Sequence, residues 1–165
     1  MKLRFPKRGF RQRRFNIDHH LESVNLERIA YFIEKGDLDP KETITMKILF
    51  EKGVVTKIKN GIKILGKGAN KITELGIPVN IEANDATQGA INAITQTGGE
   101  IMSNYRTPLI LRQYLKPHKF PEYVQLKTPM PPPKKVKKLE KLRAKGLKVE
   151  YPDAPWFTNN LESLE

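Results

Sequence analysis

Seven cations crowd the first fifteen residues, MKLRFPKRGFRQRRF: Lys2, Arg4, Lys7, Arg8, Arg11, Arg13 and Arg14. No acidic side chain precedes Asp18, and Phe5, Phe10 and Phe15 recur at every fifth position among the cations. Pro6 and Gly9 work against a helix, the first by fixing φ and removing a donor, the second by its conformational freedom. A segment of this makeup cannot bury its own surface, so it should be extended and held by something else. Ammonium and guanidinium groups neutralise phosphates, and phenyl or guanidinium planes stack on unpaired bases, so the chemistry on offer is contact with RNA. The plainer alternative is a solvated tail.

A second cationic run spans residues 134–148. Lys134, Lys135, Lys137, Lys138, Lys141, Arg143, Lys145 and Lys148 share it with one acid, Glu140. Val136, Leu139, Leu142 and Leu147 give it a thin apolar stripe. A solvated helix, a membrane-surface helix and an RNA-binding helix all fit that pattern. The stripe is narrow and carries no aromatic residue, which argues against the membrane. Beside the arginine-rich arm, RNA is preferred.

Groups that would do catalysis or hold a metal are scarce. With no cysteine in the chain, disulfides, zinc fingers and thiol chemistry are excluded. His19 and His20 are adjacent and do not face each other on a helix, and His118 is the only other histidine. Gly66-Lys67-Gly68 is a lone G-x-G without the G-x-x-x-x-G-K-[ST] pattern or a clear helix behind it, so it reads as a glycine-softened loop rather than a phosphate cradle. No nucleophile, base and orienting group can be placed together, so neither catalytic residues nor a cofactor is expected.

The net charge of +12 over 165 residues concerns partners rather than fold, and favours a polyanion. The length suits one domain with an extension. Nothing approaches eighteen consecutive apolar residues, so no membrane-spanning helix is expected. The N-terminus has no apolar core of a secretory signal, and Pro6 and Gly9 spoil the amphipathic helix of a mitochondrial presequence.

The elements that must position these cations lie between and around them. Asn25 looks like an N-cap, followed by Leu26, Ile29, Ala30 and Ile33 at helical spacing up to Gly36. A second short helix is predicted from Thr45, with Met46, Leu49 and Phe50 on one side. Val54, Val55 and Ile58 precede Asn60-Gly61, and Ile62, Ile64 and Leu65 follow, which predicts a β-hairpin. Ile77, Val79 and Ile81 alternate as a strand with Pro78 near its start. A helix is predicted from Asp85 through Ala86, Ala90, Ile91, Ala93 and Ile94 to Gly98-Gly99, then a short strand at Ile101. Beyond Tyr105, Pro108, Pro117, Pro121, Pro129 and Pro131-Pro132-Pro133 break the chain, leaving one or two helical turns between Leu109 and Leu115. The proline run favours polyproline II. The tail from Tyr151, with Trp156 and Phe157, is acidic and better suited to lying on a neighbouring protein than to folding alone.

Two patches together resemble a known family. Arg4-Phe5-Pro6-Lys7-Arg8-Gly9-Phe10 resembles the short basic motif of the large-subunit ribosomal protein family called L-fifteen. Lys63-Ile64-Leu65-Gly66-Lys67-Gly68, Val79-Asn80-Ile81, Ala86 to Ala90, and Ile94 to Gly98-Gly99 are similar to its C-terminal signature in order and separation. The resemblance covers roughly residues 4–100. It implies an α/β fold, a small compact domain of irregular β-β-α turns, with an extended basic N-terminal arm (1–16), the globular part at 17–105 and an irregular Pro-rich C-terminal extension (106–165). It also implies a non-catalytic structural constituent of the ribosome that binds and orders large-subunit ribosomal RNA beside neighbouring ribosomal proteins, not as a homo-oligomer. Lys63 and Lys67 then join the arm cations and Lys134, Lys135, Lys137 and Lys138 as RNA-binding candidates.

The chain departs from the family in two directions. Members normally carry a long Gly/Arg/Lys-rich arm ahead of the first motif, so either that arm is missing or the sequence is part of a longer product. Bacterial members usually end soon after the Gly-Gly, whereas residues 100–165 continue here. That basic, Pro-rich continuation and the stretch NLERIAYFIEKGDLDP (25–40) resemble mitochondrial members, which favours a mitochondrial ribosome over a bacterial cytoplasmic one. The rival functions are an RNA-modifying enzyme and a basic assembly factor or membrane-surface adaptor. Replacing Arg8, Arg11, Arg13 and Arg14 by alanine is expected to leave the fold intact and weaken assembly. Wild-type occupancy of that variant on the large subunit in a sucrose gradient would refute the arm's role.

Overall fold

A computed structural model describes residues 20–121 and 123–152. Two small sheets, each of three parallel strands, carry the chain. The first is built from β1 (Glu22–Asn25), β2 (Ile62–Leu65) and β4 (Asp85–Ala86), in the order β1-β2-β4. The second is built from β3 (Ile81–Glu82), β5 (Ile101–Asn104) and β6 (Lys148–Glu150), in the order β3-β5-β6. Helices α1 (Leu26–Glu34), α2 (Met46–Glu51), α3 (Ala69–Leu75), α4 (Gln88–Gln96), α5 (Pro108–Leu115) and α6 (Pro133–Ala144) connect and cover them. Parallel pairing needs such crossovers. This is the α/β fold expected from the family motifs.

The helical periodicities hold. Asn25 sits at the extended N-cap position of α1, although its side chain makes no cap bond; the Glu27 N–H donates instead to the Lys67 carbonyl at 3.0 Å. Leu26, Ile29, Ala30 and Ile33 are all buried. Thr45 caps α2 through its hydroxyl, which accepts from the Ile48 N–H at 3.3 Å. Ala90, Ile91, Ala93 and Ile94 face the core from α4.

The hairpin at Asn60-Gly61 does not form. Val54 and Val55 are buried, but the Val55 N–H bonds to the Leu49 carbonyl at 3.1 Å as the chain leaves α2, and no strand lies between α2 and β2. β2 pairs instead with β1 and β4, both parallel. Gly61 does take a positive φ of 122°, but for a different reason: a Cβ there would overlap the Asn84 side chain. The Asn84 Oδ1 accepts from the Ile62 N–H at 3.1 Å, so the glycine makes room for a side-chain clamp rather than a turn. Three boundaries also differ from expectation. The strand at 77–81 shortens to Ile81–Glu82, with Ile77 exposed, because Pro78 has no N–H for the ladder. Asp85 and Ala86 form β4, and the helix opens at Gln88. A helix, α3, does open directly behind Gly68.

Residues after 105 contribute to the same hydrophobic core as those before it. Leu111 and Leu115 from α5, Leu139 and Leu142 from α6, then Leu147 and Val149 are buried with the central isoleucines. Gln113 holds the Pro-rich connection to the body: its Nε2 donates to the Val124 carbonyl, and its Oε1 accepts from the Leu126 N–H at 3.2 Å. β6 then completes the second sheet by pairing Ser103 with Val149.

Gly68 packs the loop before α3 onto α1. Its φ is 84°, and an added Cβ would lie 2.5 Å from both the Cα and the backbone nitrogen of Glu27. Gly68→Ala is therefore expected to cost about 2–5 kcal/mol, combining a left-handed backbone with an overpacked contact. Gly76→Ala, at a similar φ of 61° with nothing within 4 Å of the added carbon, should cost about 1–2 kcal/mol. Urea unfolding of both variants checks this, and equal midpoints would refute the packing role.

Candidate nucleic-acid interface

Helix α6 divides the C-terminal cationic run into two parts. Leu139 and Leu142 point inward and are buried, which leaves Lys134, Lys135, Lys137 and Lys138 at the surface. Among the described residues none of these four has an ion-pair partner. Of the later cations, Arg143, Lys145 and Lys148 are engaged within the fold. The Arg143 guanidinium donates to the Val149 carbonyl at 3.3 Å and lies 6.0 Å from the Tyr151 ring. The Lys145 Nζ is 3.9 Å from Asp85 Oδ1, and Lys148 reaches Glu100 at 3.9 Å. The apolar stripe was visible in the sequence, but the partners that engage the later cations, Val149, Asp85 and Glu100, were not.

A cleft of about 80 Å³ lies under Lys135 and Lys138, with Leu21, Asn60, Asn104 and Arg106 among its walls. The Asn60 Nδ2 donates to the His20 carbonyl at 3.3 Å, which fixes the point where the chain arrives from residues 1–19. The root of the basic arm and the lysine face of α6 therefore meet at one place. The arm residues themselves, Lys2, Arg4, Lys7, Arg8, Arg11, Arg13 and Arg14, lie outside the described residues.

Arg106, which nothing in the sequence singled out, shapes the floor of the cleft. It pairs with Glu82, whose side chain is only 3% exposed, and its guanidinium stacks 4.3 Å from the Tyr114 ring. Glu82 also accepts from Asn104 Nδ2 at 3.1 Å and from the Met46 N–H at 3.4 Å. The buried carboxylate is thus hydrogen-bonded at both oxygens, as burial of a charge requires. Asn104 Oδ1 is buried without a hydrogen-bond partner among the described residues.

Lys63 and Lys67 are separated from this place. Lys63 projects from β2 and its Nζ lies 3.0 Å from Asp85 Oδ2, so its charge is taken up inside the protein. Lys67 is exposed in the loop that leads to α3. Beside it, the Lys71 Nζ donates to Glu27 Oε1 at 2.8 Å. That hydrogen bond, then Lys71's charge and more weakly that of Lys67, holds the Glu27 carboxyl below its ordinary range, while the same bond raises the Lys71 ammonium. His20 and His118 are both exposed, and His19 lies outside the described residues. Among the described residues no three His, Cys, Asp or Glu side chains converge as metal ligands, and no helix is long and apolar enough to cross a membrane.

A sequence model for the ribosomal proteins 50S-L15, 50S-L18e and 60S-L27a matches residues 23–102. The large ribosomal subunit protein uL15m of Neurospora crassa is 33% identical over 134 residues, covering 79% of this chain and 40% of that protein. The uL15m of Schizosaccharomyces pombe is 36% identical over 142 residues, covering 86% of the chain and 49% of the relative. The uL15 of Methylorubrum extorquens is 33% identical over 103 residues, or 62% of the chain and 56% of the relative. The chain thus spans about half the length of these relatives. A match over 86% of the chain necessarily enters the segment after residue 105.

Removing Glu82 would leave the largely covered Arg106 without its counter-charge. Glu82→Ala is expected to cost about 3–5 kcal/mol, the usual penalty for breaking a buried pair from one side. Glu82→Gln keeps the packing and should be milder. A urea midpoint for Glu82→Ala equal to wild type would remove Glu82 as the anchor of Arg106.

Proposed function

Because the chain belongs to the family of ribosomal proteins comprising 50S-L15, 50S-L18e and 60S-L27a, we propose that it is a non-catalytic structural constituent of a mitochondrial large ribosomal subunit. It binds and orders the large-subunit RNA, beside neighbouring ribosomal proteins and as a single copy. The observation that carries the RNA contact is that Lys135 and Lys138, free of ion pairs among the described residues, line one cleft with Leu21, next to His20 where the chain arrives from residues 1–19, while Lys134 and Lys137 stand exposed on the same helix. Two cationic segments on one chain suit a polyanion long enough to meet both. The α/β body is then a platform that fixes where those segments leave the surface.

The mitochondrial assignment is supported by the two fungal uL15m proteins, which match 79% and 86% of this chain against 62% for the bacterial uL15 named above. The C-terminal segment that the fungal matches enter is the one bearing α6. Lys63, partly exposed, also pairs with Asp85 within the fold. The arm cations Lys2, Arg4, Lys7, Arg8, Arg11, Arg13 and Arg14 neutralise backbone phosphates, as does Lys67 at a separate point on the surface. Contacts of this kind read RNA shape and backbone more than sequence.

The full-length tagged protein is expected on translating mitochondrial ribosomes, crosslinked to large-subunit RNA. Recovery only on immature particles would instead indicate an assembly factor. Replacing Lys134, Lys135, Lys137 and Lys138 by glutamine should lower the slope of log affinity against log salt by about 3–4 on duplex RNA, at about 0.9 per lost phosphate contact. An unchanged slope would exclude the α6 face.

A further inference from the structure

A second cationic groove lies beside the first, between residues 57–59 and α5. Lys57, Lys59, Arg112, Lys116 and Lys119 line it, and among the described residues no acidic side chain does. The groove is open to solvent and has a volume of about 530 Å³. Its apolar part comes from Ile58, Leu115, Pro108 and Leu109, of which Leu109 is 54% exposed on the first turn of α5. Lys116 is steadied over the Phe50 ring, its ammonium 5.2 Å from the centroid. Among the described residues Lys57, Lys59, Arg112 and Lys119 have no ion-pair partner.

We propose that this groove holds a single-stranded segment of RNA, with phosphates on the cations and one unpaired base laid on Leu109 and Pro108. The inference rests on the chain being an RNA-binding ribosomal protein and adds a second site to it. Charge complementarity selects a polyanion, since five cations face the groove and no described acid does. The apolar patch among them selects an unpaired strand, because a duplex keeps its base faces stacked and offers only phosphate and sugar. Continuity with the α6 cleft favours RNA over an acidic peptide. Lys59 precedes Asn60, which lines that cleft, and Arg106 of the cleft stands two residues before Pro108. The two grooves are therefore next to each other along the chain at both of these places.

The test uses the full chain and three fluorescent probes: an unstructured 12-nucleotide uridine-rich RNA, a 16-base-pair RNA duplex, and poly-glutamate. The variant K57Q/K59Q/R112Q/K119Q leaves Lys116 on Phe50 and should keep the wild-type melting temperature. Its salt slope on the 12-mer is expected to fall by about 3, at about 0.7 per phosphate contact for a single strand. L109A should weaken the 12-mer about threefold to tenfold without changing the slope, since stacking surface carries no charge. An unchanged slope in the quadruple variant overturns the site. Poly-glutamate binding as tightly as the 12-mer overturns it in favour of an acidic protein partner. Equal loss of duplex and single-strand binding in L109A overturns the unpaired-base contact. If wild-type protein co-sediments with large subunits while the quadruple variant's slope is unchanged, only the groove fails. If wild-type protein binds neither RNA nor subunits, the ribosomal function fails with it.

Discussion

Six residues, Ile81 to Ala86, join the two sheets, and every other element is placed by reference to them. Ile81 and Glu82 pair with β5, Asp85 and Ala86 pair with β2, and the chain changes sheets across Ala83 and Asn84. The backbone at the change is bonded on both sides: the Ala83 N–H donates to the Met102 carbonyl and the Asn84 N–H to the Ile62 carbonyl, each at 2.9 Å. The same six residues carry both carboxylates that are buried among the described residues. Glu82 holds Arg106 and the start of α2, while Asp85 holds Lys63 on β2 and reaches Lys145 at the end of α6. A break at either carboxylate would strand a cation, and would loosen the link between the sheets and the C-terminal helix.

These internal pairs also decide which cations are available to a partner. Lys63, Arg106, Arg143 and Lys145 are used to hold the fold. Among the described residues, Lys134, Lys135, Lys137 and Lys138 remain without ion pairs on α6, and Lys57, Lys59, Arg112 and Lys119 remain so around α5. Of these, Lys135 and Lys138 lie next to the point where the chain arrives from residues 1–19.

Helices α1 and α4 were legible because a 3.6-residue apolar period leaves few alternatives, whereas α3, with Ile72 as its one buried residue, was not. Leu26, Ile29, Ala30 and Ile33, or Ala90, Ile91, Ala93 and Ile94, bury as one stripe wherever the sheet lies. Strand pairing was less legible, because it depends on partners distant in sequence. Asn60-Gly61 carries a strong local hairpin signal, yet β1 and β4 offered β2 two parallel neighbours, and Val54 and Val55 were needed in the core behind α2. The family motifs located the Gly66-Lys67-Gly68 loop but not its purpose, which is to let α3 start against the backbone of α1. Arg106 carried no local signal at all, since its importance comes from Glu82, twenty-four residues earlier.

The direction in which α6 runs has an energetic consequence. A helix carries partial positive charge at its N-terminus, where acids are favoured and cations are not. Helix α6 opens with Pro133-Lys134-Lys135, has no acid in its first turn and no side-chain cap at Pro132. Its first turn is therefore electrostatically frustrated in the free protein, at about 0.3–1 kcal/mol for each exposed cation near the terminus. A phosphate placed there relieves the dipole and the lysines together. An anion bound there would therefore stabilise the fold by linkage.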